Sequence, residues 1–397
     1  MLESLSRLPA DPILGLMQLF REDTNPQKVD LGVGVFKNEA GQTPIMAAVA
    51  QAEQQVIAEQ TTKSYVGPAG NQAFLAAMTK LALGELASTH APRIASAQTP
   101  GGCGALRVAA EAIKAANPGA TVWVSNPTWG NHEPLLGNAG LALKKYPYLN
   151  NERTGLDWPA MQAAMNEIKR GDIVLLHASC HNPTGVDLNF EQWQWLADKA
   201  VEIGFVPFVD MAYQGFGGTL EEDAKGLQWL VARVPEVLLA VSCSKNFGLY
   251  KERVGMVLGV CADEPQKIAL QSHLLSIVRG IYSMPPDHGA AIVAKILNDQ
   301  ALESLWRGEL DGMRGRIAEL RAEFVRHMAE LGHPEFAFVT EQRGMFSYLG
   351  ISEPQVAWLA KNKSIYLLSS SRASIAGLTQ GNLKYVCSSL AEALASA

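Results

Sequence analysis

Apolar and polar positions along this chain fall into two alternating periods. Residues 12–22, PILGLMQLFRE, space their large apolar side chains by three and four, which predicts a short amphipathic helix. The glycine-rich DLGVGVF at 30–36 predicts a short extended piece. Thr43-Pro44 opens an alanine-rich helix to about Gln60, and Gly70 to Leu83 predicts another. The middle of the chain then changes character. TPGGCGAL at 99–106 leads into the helical run RVAAEAIKAA. ATVWVSNP, DIVLLHASCHNPTG, GFVPFVDMAYQGF, VLLAVSCSKNF and RVGMVLGV follow, each an apolar run of strand length ending in polar or glycine-containing residues. Helical patterns such as EQWQWLADKAVEI lie between several of them. Continuous apolar strands separated by helices predict a largely parallel sheet covered on both faces.

From about Asp299 to Glu330 the period is helical again, predicting a long helix that joins the sheet domain to a smaller C-terminal domain. That domain holds MFSYLGI, the helix-like EPQVAWLAKN, the strand-like SIYLLSS and a last alanine-rich helix. No internal repeat or low-complexity tract interrupts the pattern.

Composition narrows the classes. At 397 residues the chain is too long for one ordinary core. A net charge of −6 argues against a nucleic-acid footprint or an anionic membrane surface. No run of 18 residues is free of charges and breakers, so no membrane span is expected. The N-terminal sequence lacks the basic start and apolar run of a signal peptide. The five cysteines (Cys103, Cys180, Cys243, Cys261 and Cys387) are scattered without a CxxC pair. A disulfide framework or a zinc site is not expected, and a reducing, cytoplasmic setting is. The charged fraction of 18% is low enough to suggest surface covered by a partner subunit.

The chemistry concentrates where strands end. Ligands of open α/β sheets bind outside the carboxyl ends of the strands, and here those ends carry Asn126, Trp129, His177, Asn182, Asp210, Tyr213, Ser242 and Lys245. A lysine directly after an apolar strand is costly to bury. With Ser242 before it and Arg253 after it, Lys245 has a hydroxyl and a guanidinium suited to a phosphate, and a desolvated lysine near cations becomes a nucleophilic amine. The bland alternative is a solvated loop lysine. Asp210 can hold a protonated pyridine nitrogen or simply cap a helix, and Tyr213 can donate to a cofactor hydroxyl or simply fill the core. Asn182, on the turn HNPTG, is a second donor. Trp129 offers a flat face for a ring, and His132 a support for Asp210 or else an ordinary loop residue. His177 and His181 read as structural. Gly101, Gly102 and Gly104 in TPGGCGAL suit an anion cradle at a helix start, though a plain turn explains them equally well. Neither GxGxxG nor GxxxxGK[ST] is present.

Together SKNFGLYxERVG, CHNPTG, DxAYQGF and TPGG-x-GALR closely resemble the aspartate/aromatic branch of the class I, fold-type I pyridoxal 5′-phosphate (PLP) aminotransferases, over essentially the whole chain from DPILGL onward. The resemblance implies a mostly parallel seven-stranded sheet with helices on both faces plus a smaller α+β domain. It divides the chain into an N-terminal segment (1–40) packed on the small domain, a PLP-binding domain (41–300), and a linking helix with the small domain (301–397). It implies that Lys245 bonds the cofactor and shuttles a proton, that Asp210 binds the pyridinium nitrogen, that Tyr213 and Asn182 bind O3′, and that Trp129 stacks on the ring. Gly102, Ser242 and Arg253 become phosphate ligands, with Cys103 at a position usually Thr or Ser, and Tyr65 reaching in from a second subunit. Arg372 grips the substrate α-carboxylate, Arg279 of the partner subunit meets the side-chain carboxylate, and the Gly34 backbone touches substrate. A homodimer with shared sites follows, transferring amino groups between L-amino acids and 2-oxo acids.

Some positions depart from that pattern. Gly130 replaces a frequent proline, Phe36 a tyrosine, Met284 a small polar residue and Ser374 an asparagine, whereas Val35, Lys37 and Thr43 resemble the aspartate-preferring branch. The expected reaction is ping-pong transamination of aspartate, phenylalanine and tyrosine with 2-oxoglutarate. The alternatives are a strict aspartate aminotransferase, a PLP-dependent lyase and a non-catalytic PLP-fold protein.

Overall fold

A computed structural model describes residues 2–7, 12–150, 152 and 154–396. The first residue of DPILGL, Asp11, lies outside them. The strands are β1 (Val29–Asp30), β2 (Ile94–Pro100), β3 (Thr121–Asn126), β4 (Ala142–Pro147), β5 (Ile173–His177), β6 (Val206–Met211), β7 (Val237–Ser242), β8 (Val254–Val260), β9 (Phe346–Tyr348), β10 (Ile365–Tyr366) and β11 (Arg372–Ser374). Seven of them form one sheet in the order β2-β8-β7-β6-β5-β3-β4.

The apolar runs have a direct physical cause. Successive side chains leave a strand on opposite faces, and here both faces are covered. Val174 and Leu176 join one core cluster and Leu175 the other; Met256 and Leu258 join the first and Val257 the second. A strand buried on both sides has no polar face to show in its sequence.

β8 is antiparallel to both neighbours, β2 and β7, and the remaining pairings are parallel. This single reversal matters for the site. It brings the beginning of β8 to the edge where the other strands end, so that Val254 pairs with Pro100 and Gly255 with Ser242. Arg253, the residue before β8, therefore lies at the same edge as the ends of β2 and β7.

The helix over Pro12–Glu22 forms as its period predicts, and the long helix spans Gln300–Glu330, capped by the Asp299 carboxylate, which accepts from the N–H groups of Ala301 and Leu302. The glycines of TPGGCGAL behave differently from the turn-then-helix expectation. The helix begins at Gly101 and runs to Ala116, so the glycine string is its first turn. DLGVGVF likewise contributes only its first residue, Asp30, to a strand, the two-residue β1, which pairs in parallel with β10. β9 and β11 form a separate antiparallel pair, with Arg372 opposite Tyr348 and Ser374 opposite Phe346. Among the described residues no helix is long and apolar enough to cross a membrane, and all five cysteines are free thiols.

Candidate active site

A cavity of about 260 Å3 opens at the carboxyl edge of the large sheet. Lys245, Asp210, Tyr213, Asn182 and Trp129 line it, as do Gly102, Cys103, Ser242, Arg253, Gly34 and Arg372. Residues far apart in sequence thus meet in one place, because the strand ends converge there and the β9–β11 pair closes over them.

Asp210, the penultimate residue of β6, is buried. His132 Nε2 donates to its Oδ2 at 3.1 Å, and the Thr128 hydroxyl lies 2.8 Å from His132 Nδ1. That pairing sets the histidine tautomer and turns the carboxylate. Burial works to raise the Asp210 carboxyl, but the hydrogen bond from His132 and the positive groups around it outweigh burial and hold it below the ordinary carboxylate range. His132 is wholly buried, so it is a support for Asp210 and not a loop histidine. His177 also faces the cavity; burial pushes it down to about 3, so it stays neutral. His181 is held in the core between the Ser125 hydroxyl at 2.9 Å and the Thr184 hydroxyl at 2.8 Å, stacked on Tyr148.

Lys245 lies three residues beyond the end of β7 at Ser242. Its Nζ stands 4.8 Å from the centre of the Tyr213 ring and makes no hydrogen bond to a described residue. Burial lowers its pKa, Arg253 and Arg372 add to that, and Asp210 and Cys103 oppose it. A lower pKa means that the neutral, nucleophilic amine is present at lower pH than for a solvated lysine.

Two guanidinium groups face the cavity without a carboxylate partner among the described residues. Arg253 donates to the Ser244 hydroxyl at 3.1 Å and to the Tyr250 carbonyl at 3.2 Å. It adopts a left-handed φ of 53°, a conformation of real cost for a residue with a Cβ, and its guanidinium packs against Gly101. A Cβ added to Gly101 would stand 2.3 Å from Arg253 Nη2, and Gly101 itself has φ 69°. Glycine is required there on both counts. Arg372 is buried, donates to Asn182 Oδ1 at 3.3 Å and to the Gly32 carbonyl, and lies over the Phe346 ring at 4.2 Å. Its Nε has no partner among the described residues. Burial lowers its pKa. A buried cation completed by neutral groups alone has room for an external anion.

These features fit PLP. The first turn of the Gly101–Ala116 helix, with Ser242, Ser244 and Arg253, supplies free N–H groups, hydroxyls and a cation for a phosphate. Asp210 lies ready for a pyridinium, Lys245 for an aldehyde, and Trp129 is set edge-on against His132 with its ring in the cavity wall. Cys103 is in that first turn, where Asn131 Nδ2 approaches its sulfur at 3.8 Å. A thiol is a weak donor. Cys103→Thr is expected to tighten PLP by about 0.5–1.5 kcal/mol, the worth of one hydrogen bond. Equilibrium titration of the apoprotein measures this, and an unchanged dissociation constant would mean that backbone N–H groups already satisfy the phosphate.

Other residues of the cavity carry no chemical signal in the sequence. Ile13, Leu106, Ala212, Tyr250 and Phe346 read as core residues, yet line it. Tyr250 additionally accepts the Phe36 N–H at 3.0 Å. Phe36 is itself buried in the core, and neither it nor Met284 lines the cavity. Tyr65 and Arg279 also stay outside it in the single chain. Tyr65 is 92% exposed, and Arg279, exposed at the end of its helix, reaches the Ser283 hydroxyl and no other described side chain. Lys37 pairs with Asp30 at 3.0 Å and Thr43 donates to the Phe36 carbonyl at 2.9 Å, so both act on local structure.

Residues 26–390 match the family model for aminotransferase class I and II. An aromatic-amino-acid aminotransferase of Pseudomonas aeruginosa is 47% identical over 394 residues, covering 98% of each chain. An aspartate aminotransferase of Salmonella typhi is 44% identical over 396 residues, 99% of this chain and 100% of that one. A crystal structure of an aromatic-amino-acid aminotransferase from Burkholderia pseudomallei, covalently bound to pyridoxal phosphate, superimposes with a TM-score of 0.96 at 39% identity, covering 99% of each chain. The chain belongs to the class I and II aminotransferase family. Within it, the chain falls in the PLP-dependent branch that contains the aspartate and aromatic-amino-acid enzymes.

Proposed function

We propose that the protein transfers amino groups from both dicarboxylic and aromatic L-amino acids to 2-oxoglutarate, as a cytoplasmic homodimer whose sites are shared between subunits. The observation that carries this reading is Arg372, a buried guanidinium whose Nε has no partner among the described residues, in the same cavity as Lys245 and Asp210. An α-carboxylate is the anion that a planar fork in that place would take.

Bound PLP supplies an electron sink that makes the substrate's α-hydrogen acidic. The chain's residues do the rest. The first turn of the Gly101–Ala116 helix, Ser242 and Arg253 anchor the phosphate. Asp210, turned by His132, holds the proton on the ring nitrogen. Tyr213 and Asn182 take O3′, and Trp129 covers the ring. Lys245 Nζ would hold the cofactor covalently and, once freed by the incoming amino acid, would take the α-proton and deliver it to C4′ of the cofactor. The domain division at residues 40 and 300 gives these groups two bodies, with Arg372 and Phe346 on the smaller one.

Substrate range rests on Arg279 of the partner subunit. It is exposed and held by one serine contact in the single chain, so it has freedom to meet a carboxylate or to move aside for a ring. The expected gap in kcat/KM between aspartate and phenylalanine is below about a hundredfold. Arg279→Ala should cut aspartate use severely and spare phenylalanine. Steady-state kinetics with aspartate, phenylalanine and tyrosine test this. A preference for aspartate above about ten-thousandfold would leave a strict aspartate aminotransferase.

The shared site has its own test. Inactive Lys245→Ala subunits mixed with Arg279→Ala subunits should regain part of the dicarboxylate activity, because one site of each mixed dimer then carries both groups. If subunit exchange is verified by mass spectrometry and no activity returns, each site is confined to one chain.

A further inference from the structure

We propose that Arg321, on the long helix and outside the cavity, is the positioning residue for the carboxylate grip, holding Phe346 and the β9–β11 pair in the place that fixes Arg372. The proposal rests on the reading of Arg372 as the α-carboxylate ligand.

Arg321 is 3% exposed and has no carboxylate partner among the described residues. Its fork closes instead on one short stretch of chain. Nη1 donates to the Val339 carbonyl at 2.9 Å and to the Ser347 hydroxyl; Nη2 donates to the carbonyls of Gly344 at 2.8 Å and Phe346 at 2.6 Å. A buried cation whose Nη donors meet only neutral acceptors, and whose Nε has no partner among the described residues, is a poor way to gain stability, since its desolvation is barely repaid. Its geometry gives position instead. A planar fork with fixed donors locks four acceptors into one arrangement. Burial pushes its pKa down to about 10, so it remains a cation at neutral pH.

The residues so locked are those that set Arg372. The Phe346 ring lies under the Arg372 guanidinium at 4.2 Å and meets the Tyr213 ring edge-on at 6.1 Å. On the remaining side the ring fills the space up to the Gly34 backbone, where an added Cβ would stand 2.8 Å from Phe346 Cζ. Ser347, held by Arg321, pairs across the ladder with Ala373, the neighbour of Arg372. Displacing the Phe346 carbonyl therefore moves both the platform beneath the guanidinium and the strand that carries it.

The test separates carboxylate binding from turnover. In Arg321→Lys, which keeps the charge and loses the fork, the KM for aspartate and the dissociation constant of succinate, a dicarboxylate without an amino group, should both rise about tenfold, with kcat changed less than about threefold. Ser347→Ala removes one of the four contacts and should raise both constants about two- to threefold. It decides the question if Arg321→Lys fails to fold. Arg372→Lys serves as the reference. The proposal is overturned if Arg372→Lys raises both constants and the other two variants do not, or if they lower kcat and melting temperature while succinate binds as before. Unchanged succinate binding in Arg372→Lys would instead sink the reading of Arg372 itself.

Discussion

Lys245→Ala is expected to abolish turnover, lowering kcat by more than about ten-thousandfold, the upper range for losing a positioned general base, compounded here by loss of the covalent anchor. The surroundings of Lys245 explain why no other group can substitute. Its amine stands over the Tyr213 ring without a hydrogen-bonding partner among the described residues, and burial between Arg253 and Arg372 lowers its pKa. On the proposed mechanism it serves as both nucleophile and proton acceptor. In the wild type, borohydride reduction followed by peptide mapping should place the pyridoxyl label on Lys245, and the variant should lose the absorbance of that linkage with its melting temperature little changed. Label on any other lysine would remove Lys245 from its role.

Asp210→Asn should cost about 3–4 kcal/mol at the transition state, roughly a hundred- to a thousandfold in kcat/KM, the scale set by removing one preorganised electrostatic partner. The amide matches the carboxylate in shape but carries no charge to hold a proton on the ring nitrogen. The loss exceeds one ordinary hydrogen bond because the site is dry. Asp210 is buried, and His132, buried behind it, already occupies one of its oxygens. PLP should remain bound, since Gly102, Ser242 and Arg253 are untouched. Single-turnover kinetics with aspartate measure the effect, and near-normal rates would show that the ring nitrogen needs no anion.

The sequence carried the large sheet clearly because strands buried on both faces read as unbroken apolar runs, as in IVLLH and VGMVLGV. β4 did not read that way. It is the edge strand, and ALKKYP turns Lys144 and Lys145 to solvent, the usual guard on an unpaired edge. The start of the helix at Gly101 was equally hidden, since glycine is a poor helix former and its place depends on Arg253 and Ser242 packed close by. Within the site, Lys245, Asp210, Asn182 and Arg253 were legible because polar residues at strand ends are chemically conspicuous. Ile13 and Phe346 were not, because their signal is that of any core residue. Arg321 was hidden for the opposite reason: on an amphipathic helix an arginine reads as a surface charge until its burial is seen.

The reversed strand β8 has a thermodynamic consequence. Ser242 and Gly255 are paired, so residues 243–253 form a closed turn between β7 and β8 that holds Ser244, Lys245 and Arg253 together. The turn is keyed to the long helix, where the Phe247 ring stacks on Trp306 at 4.4 Å and Trp306 Nε1 donates to the Asn246 carbonyl at 2.7 Å. Closing so short a loop costs little chain entropy. On the proposed roles, the covalent anchor and a phosphate anchor would therefore sit on one short, packed loop. A cofactor bound there would stabilise that loop, and with it the Trp306 contact to the Gln300–Glu330 helix.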